Sequence, residues 1–106
     1  ALAPIQERHE SVYPHWEKQP ESEIDWFQAL AALARYLRSP EGCPWDREQT
    51  AARFAAFARE EADEYLEAFE KGDNAEAAEE FGDTLFCLLA SAAAAEAEGR
   101  FRLEDA

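Results

Sequence analysis

The chain has 106 residues, enough for one domain, and carries 10 basic against 24 acidic side chains, a formal net charge of −14. This charge argues against non-specific nucleic-acid binding, which depends on lysine and arginine facing phosphates, and against adsorption to an anionic membrane. The hydrophobic fraction of 47% favours a packed core over disorder. The chain shows no apolar run of bilayer-spanning length and no signal-peptide pattern, so we expect a cytoplasmic protein.

Residues that favour strands are scarce. Valine, isoleucine and threonine together number five, whereas alanine and glutamate are abundant. Because alanine and glutamate favour helices and β-branched residues favour strands, the composition predicts an all-α fold. The two cysteines, Cys43 and Cys87, lie far apart and form no CxxC pair, which argues against a zinc ribbon and a disulfide framework.

Residues 1–21 differ from the rest, because they contain three prolines and their apolar residues do not recur at helical or strand spacing. We predict an N-terminal arm at 1–21 and a helical domain at 22–106. Either Tyr13 and Trp16 dock the arm on another surface, or the arm is an unstructured tail.

The first predicted helix begins after Ser22, a typical N-cap, with Asp25 three residues later. It ends before Pro40 and Gly42, and a loop at 39–46 follows. Its apolar residues recur at helical spacing and are expected to face the core: Ile24, Phe27, Leu30, Ala31, Ala34 and Leu37.

The second predicted helix begins at Asp46 or Thr50 and runs to Lys71, where Gly72 supplies a left-handed cap. A third predicted helix follows a short turn. Its boundary residues are Asp73 or Asn74 at the start and Glu98 and Gly99 at the end, and a further helix begins near Leu103.

Acidic side chains lie on the apolar face of the second predicted helix. Glu61 falls near the centre of that face, Glu64 at its edge and Glu60 just beyond. Burial of an ionised carboxylate without a partner costs several kcal/mol. The face itself consists of Phe54, Phe57, Ala58, Tyr65, Ala68 and Phe69.

The third predicted helix repeats this pattern, because Glu80 and Asp83 share one of its faces. Residues 84–95 then carry no charge on any face, which is typical of a helix buried on more than one side. We therefore expect a subunit partner, and the sequence leaves open whether the assembly is a dimer or a dimer of dimers.

Two explanations fit these inward-facing acids: a solvated face with basic partners, or a bound metal ion. Clustered carboxylates suit Mg²⁺ or Mn²⁺, and Mg²⁺ held in this way completes its shell with water and substrate phosphates. The metal explanation therefore points to phosphate-ester or anhydride chemistry. The two histidines lie in the arm and no Glu-x-x-His occurs, which disfavours a di-iron bundle.

Four motifs resemble the MazG-type nucleoside triphosphate pyrophosphohydrolases of the all-α NTP pyrophosphatase superfamily. EExxE at 60–64 followed by ExxD at 80–83 is similar to the signature of that family. The CPWD loop at 37–50 and the EGRF stretch at 98–101 match in the same order. The resemblance covers about residues 24–105.

The resemblance implies a helical bundle, usually dimeric, that uses Mg²⁺, with Mn²⁺ as a substitute. It implies hydrolysis of a nucleoside or deoxynucleoside triphosphate to the monophosphate and pyrophosphate, in nucleotide-pool housecleaning. By the same resemblance Glu61, Glu64, Glu80 and Asp83 are metal ligands. Glu60 is then an outer-shell ligand or the base that orients the attacking water.

The resemblance also suggests substrate contacts. Trp45 either stacks on a base or ribose or anchors its loop on the bundle, and Arg47 either contacts phosphate or is simply exposed. Longer family members continue past EGRF into a basic stretch, so Lys71, Arg100 and Arg102 are candidates to replace it. The alternatives to an active enzyme are a non-catalytic dimeric binding or regulatory module and a fragment of a longer enzyme.

Overall fold

The computed structural model describes residues 20–106, so the predictions for Tyr13, Trp16 and most of the arm lie outside the described residues. Regular structure in the described part is entirely helical, which confirms the all-α prediction. None of these helices is both long and apolar enough to span a bilayer. They are α1 (Glu23–Arg38), α2 (Pro44–Glu48), α3 (Ala51–Lys71) and α4 (Asn74–Ala97), followed by a 3-10 turn at Leu103–Asp105.

Helix caps confirm several predicted boundaries. The Ser22 hydroxyl accepts the amide N–H of Asp25 at 3.0 Å, and the Asp25 carboxylate accepts the N–H of Ser22 in return. The Asp73 carboxylate accepts the N–H of Glu76 at 3.0 Å at the start of α4. Gly72 ends α3 with a φ of 72°, a left-handed conformation that glycine adopts without steric cost.

The loop between α1 and α3 contains the short helix α2, which the apolar pattern did not predict. Pro44 occupies its first turn, where the fixed φ of proline suits a helix and its missing N–H costs nothing. Thr50, not Asp46, caps α3, since its hydroxyl accepts the N–H of Arg53 at 3.0 Å. Of the two predicted starts, Thr50 is therefore confirmed and Asp46 is wrong, since Asp46 is buried inside α2.

The core lies where α1, α3 and α4 meet. Helices α3 and α4 run antiparallel because the turn between them is short, and α1 packs on the C-terminal half of α4. Alanines on α4 allow its neighbours to approach closely. The buried cluster comprises Ala31, Leu33, Ala34, Leu37, Phe54, Phe86, Leu89, Ala90, Ala93 and Ala94.

Part of the predicted apolar face is exposed. Ile24 and Phe27 on α1 are 69% and 45% exposed, and Phe69 on α3 is 55% exposed. The expectation that these three side chains face the core is therefore wrong for the part of the chain that the structure describes. Phe81 and Leu88 on α4 are also half exposed. The fold therefore leaves an apolar surface available to a partner.

Candidate metal centre

Three carboxylates from two helices converge in the structure. Glu61 and Glu64 lie one turn apart on α3, and Glu80 faces them from α4. One carboxylate oxygen from each residue lies within 4.8 Å of the other two. Glu61 and Glu80 are each only 4% exposed, and Glu64 is half-buried. The helix-wheel prediction that Glu61 faces inward is confirmed.

This carboxylate cluster, defined as Glu61, Glu64 and Glu80, is short of positive charge. Within residues 20–106, no lysine or arginine pairs with Glu61 or Glu80, and each has a buried Oε2 atom without a hydrogen-bond partner. Burial, followed by the nearby carboxyl groups of Glu64, Glu80 and Asp83, raises the pKa of Glu61 to about 8. Near neutral pH Glu61 therefore holds a proton, which removes one of the negative charges that the described residues leave unpaired.

The donor set of the cluster fits a divalent cation that prefers oxygen. Oxygens that share an octahedral Mg²⁺ ion lie about 3 Å apart when adjacent and about 4.2 Å apart when opposite. The three carboxylate oxygens lie within 4.8 Å of one another, so the side chains have to move closer together to share one ion. The partnerless Oε2 atoms of Glu61 and Glu80 supply free lone pairs. A bound cation would supply the counter-charge that the described residues do not.

Two of the predicted acidic residues lie outside this close group. Asp83, one turn after Glu80, is not among the three mutually close oxygens, but its charge helps to raise the pKa of Glu61. Glu60 is exposed and also lies outside the group. The structure therefore brings three of the five acids together, with Asp83 beside them.

Trp45 packs against α3, one helical turn before Glu61. Its ring stacks on Phe57, with centroids 6.0 Å apart and planes 16° apart, and meets the edge of Phe54 at 6.1 Å. Phe57 lies one helical turn before Glu61 on α3. The ring anchors its turn on α3, and with 46% of Trp45 exposed it also presents an open surface near the cluster.

The predicted basic contacts on the loop and on α3 have protein partners. The Arg47 guanidinium donates a 2.6 Å hydrogen bond to the carbonyl oxygen of Ser39. The Lys71 ammonium lies 3.6 Å from the Glu76 carboxylate, and both side chains are substantially exposed. Exposed ion pairs of this kind are weak, so Lys71 is free to exchange its partner.

Arg100 and Arg102 lie at the wrong end of α4 to serve the carboxylate cluster of their own chain. Arg100 pairs with Glu98 at 2.7 Å, and Arg102 lies 3.7 Å from Glu96. Glu96 follows Glu80 by more than four turns of α4, about 24 Å at 1.5 Å per residue. The structure pairs both arginines with glutamates at the C-terminal end of α4, and their role as phosphate contacts stays a prediction.

Sequence reasoning missed one cation close to this region. The Arg53 guanidinium lies 4.7 Å above the Phe57 ring, a cation–π contact. Arg53, Phe57 and Glu61 follow one another at four-residue spacing on α3. That spacing was visible in the sequence and places Arg53 two turns before Glu61.

Comparison with known proteins identifies the family of this chain. A family model described as the MazG nucleotide pyrophosphohydrolase domain matches residues 49–106, more than half of the chain, including all five acids. The chain belongs to the MazG family. It is 43% identical over 77 residues to the nucleoside triphosphate pyrophosphohydrolase of Escherichia coli K12. It is 38% identical over 79 residues to the nucleoside triphosphate pyrophosphohydrolase/pyrophosphatase MazG of Thermotoga maritima.

A third relative, the uncharacterized protein YabN of Bacillus subtilis, is 39% identical over 79 residues. The matches to the three relatives cover 72% to 74% of this chain but only 16% to 31% of the relatives. The chain thus spans less than a third of the length of these curated relatives. No solved structure gives a significant match.

Metal binding provides the first test of the cluster. Mg²⁺ or Mn²⁺ should raise the Tm in a concentration-dependent way, because a ligand that binds only the folded state stabilises it by mass action. Glu61→Gln and Glu80→Gln should remove most of this increase relative to their own metal-free forms. Glu79→Gln, at an exposed acid next to Glu80, should keep it. Equal increases in all four proteins would place the metal elsewhere.

The raised pKa of Glu61 predicts how the metal-free protein responds to pH. The folded state holds a proton up to about pH 8, whereas the unfolded chain loses it near 4.5. This contribution to stability is therefore complete below about 4.5 and is lost as the pH rises through 8. Urea unfolding in chelator at pH 5, 7 and 9 should show the wild type losing more stability than Glu61→Gln. Parallel pH profiles for the two proteins would contradict the assignment.

Proposed function

We propose that the chain is a metal-dependent enzyme that hydrolyses a nucleoside or deoxynucleoside triphosphate to the monophosphate and pyrophosphate. The observation that carries the proposal is the convergence of three carboxylates from two helices, two of them buried. Membership of the MazG family supports it, as do the activities for which the Escherichia coli and Thermotoga maritima relatives are named. Housecleaning of the cytoplasmic nucleotide pool is the role that we expect for such a reaction.

The carboxylates of Glu61, Glu64 and Glu80 are proposed to hold the ion, with Asp83 as a neighbouring ligand. When bound, Mg²⁺ or Mn²⁺ neutralises the triphosphate and the charge that develops at the attacked phosphorus. Without a cation the same carboxylates repel a triphosphate. Substrate binding is therefore expected to depend on metal, and the buried positions of Glu61 and Glu80 fix the ligand atoms through helix packing.

The attacking water must lose a proton as its oxygen bonds to the α-phosphorus and the bond to pyrophosphate breaks. Glu60 is proposed as the base that receives this proton, or as an outer-shell ligand that orients the water. It is exposed and adjacent in sequence to Glu61. An exposed carboxylate can pass the proton on to solvent, which regenerates the base after each turnover.

Three side chains remain as proposed substrate contacts. The open surface of Trp45 suits stacking on a base or ribose. Lys71 lies two turns beyond Glu64 on the same side of α3 and can reach phosphate oxygens if it leaves Glu76. Arg47 can contact phosphate only by giving up its hydrogen bond to Ser39.

A second copy of the chain is proposed to cover the exposed apolar residues, which include Phe81 and Leu88 on α4. Large apolar side chains grouped on a surface indicate an interaction site. Light scattering after size exclusion should show a dimer or a larger even assembly. Leu88→Asp should shift the measured mass toward that of a monomer, because it places a charge on the exposed apolar surface. Glu41→Ala, in the exposed turn after α1, should leave the mass unchanged. A monomeric wild-type protein would contradict the proposal.

The reaction itself is tested by screening the eight common triphosphates with Mg²⁺ and identifying the product. At least one should yield pyrophosphate and not single phosphate. Glu61→Gln should bring the rate below detection while helicity by circular dichroism is retained, because it removes a charged oxygen from the cluster. Glu79→Gln should remain active. Metal binding without cleavage of any triphosphate would favour the non-catalytic module instead.

A further inference from the structure

The Arg38 guanidinium lies against the carbonyl end of α2. Its Nη1 donates hydrogen bonds of 3.0 Å to the carbonyl oxygens of Asp46 and Gln49, and its Nη2 donates one of 3.4 Å to that of Arg47. Asp46 and Arg47 lie in the last turn of this five-residue helix and Gln49 is its C-cap, where carbonyl groups lack most of their helical N–H partners. The Asp46 carbonyl also accepts the N–H of Gln49 at 3.0 Å. One side chain from α1 thus closes the end of α2.

The Asp46 carboxylate provides the counter-charge for this guanidinium. Its Oδ1 lies 3.7 Å from Nη1 of Arg38, and the two side chains are 3% and 15% exposed, respectively. A largely buried charge pair is costly to break, because the remaining partner stays buried without compensation. Lysine keeps the positive charge but lacks the planar fork of arginine, which reaches several carbonyls at once.

The turn that carries α2 is joined to its two neighbours in different ways. Hydrogen bonds join it to the end of α1: the Cys43 N–H donates to the Leu37 carbonyl at 2.8 Å. A Cβ atom on Gly42 would lie 2.3 Å from the Tyr36 carbonyl oxygen, so the backbones approach too closely for any other residue. Aromatic packing of Trp45 joins the turn to α3.

Trp45 immediately precedes Asp46, so the residue that Arg38 holds is next in sequence to the tryptophan that packs on α3. The Trp45 ring rests on Phe57, one turn before Glu61. The position of its exposed half relative to the carboxylate cluster therefore depends on where α2 is held.

We propose that Arg38 and Asp46 are a positioning pair that holds Trp45 beside the carboxylate cluster and so sets substrate affinity, not the rate of the chemical step. This inference rests on the proposed function, since it assigns Trp45 to the wall of that same site. Arg38 itself acts only through the turn and does not contact the substrate.

The kinetic test compares Arg38→Gln with Arg35→Gln, an arginine one turn earlier on α1 whose ion pair with Glu96 is exposed. Arg38→Gln and Asp46→Asn should raise KM for the best triphosphate by about tenfold, the equivalent of roughly one charge-assisted hydrogen bond, with kcat within about threefold. Arg38→Lys should recover part of the loss, and Arg35→Gln should behave as wild type. An unchanged KM in a folded Arg38→Gln protein, or a fall in kcat alone, would overturn the proposal.

A spectroscopic test does not depend on turnover. In a Trp16→Phe/Trp26→Phe background, Trp45 is the sole tryptophan, and Arg38→Gln should shift its emission to the red and lower its anisotropy. If Arg38→Gln fails to fold, Arg38→Lys and Asp46→Asn are measured instead. If the wild type cleaves no triphosphate, the proposed function fails, and an unchanged Trp45 spectrum in the variants separately refutes the positioning role.

Discussion

The structure depends on the placement of two carboxylates, Glu61 and Glu80, in the contact between α3 and α4. Both are buried, they face each other, and no described lysine or arginine pairs with either. Two ionised groups in that position repel each other in a poorly solvated environment. The helix pair is therefore fully stable only when a proton or a cation supplies the missing positive charge. Of the two, only the cation could also bind a triphosphate.

The rest of the fold supports that contact. The short turn at Gly72 and Asp73 sets α3 and α4 antiparallel, so that Glu80 lies opposite Glu61. At the other end of the pair, the Glu98 carboxylate accepts the N–H of Ala51 at 2.8 Å, and α1 covers the alanine-rich half of α4. One half of α4 thus supplies the acidic site, and the other supplies the apolar packing that holds it in place.

Local chemistry predicted the helix boundaries and the inward position of Glu61, because caps and helical periodicity depend on neighbours in sequence. It could not predict the role of Asp46, whose partner Arg38 is brought close only when the turn folds back on α1. Periodicity identified the apolar face of α1 but not what covers it, so Ile24 and Phe27 were expected in the core. The family resemblance placed Asp83 among the ligands; in the structure the mutually close oxygens come from the three glutamates, and Asp83 lies one turn after Glu80.

Glu61, Glu64 and Glu80 are proposed to share one cation. The most direct measurement is a crystal structure of the full chain grown with Mn²⁺ and recorded for anomalous scattering. We expect an anomalous peak between α3 and α4, within coordinating distance of an oxygen from each of these three residues. Anomalous density confined to other acidic residues, or absent between these helices in an ordered structure, would contradict it.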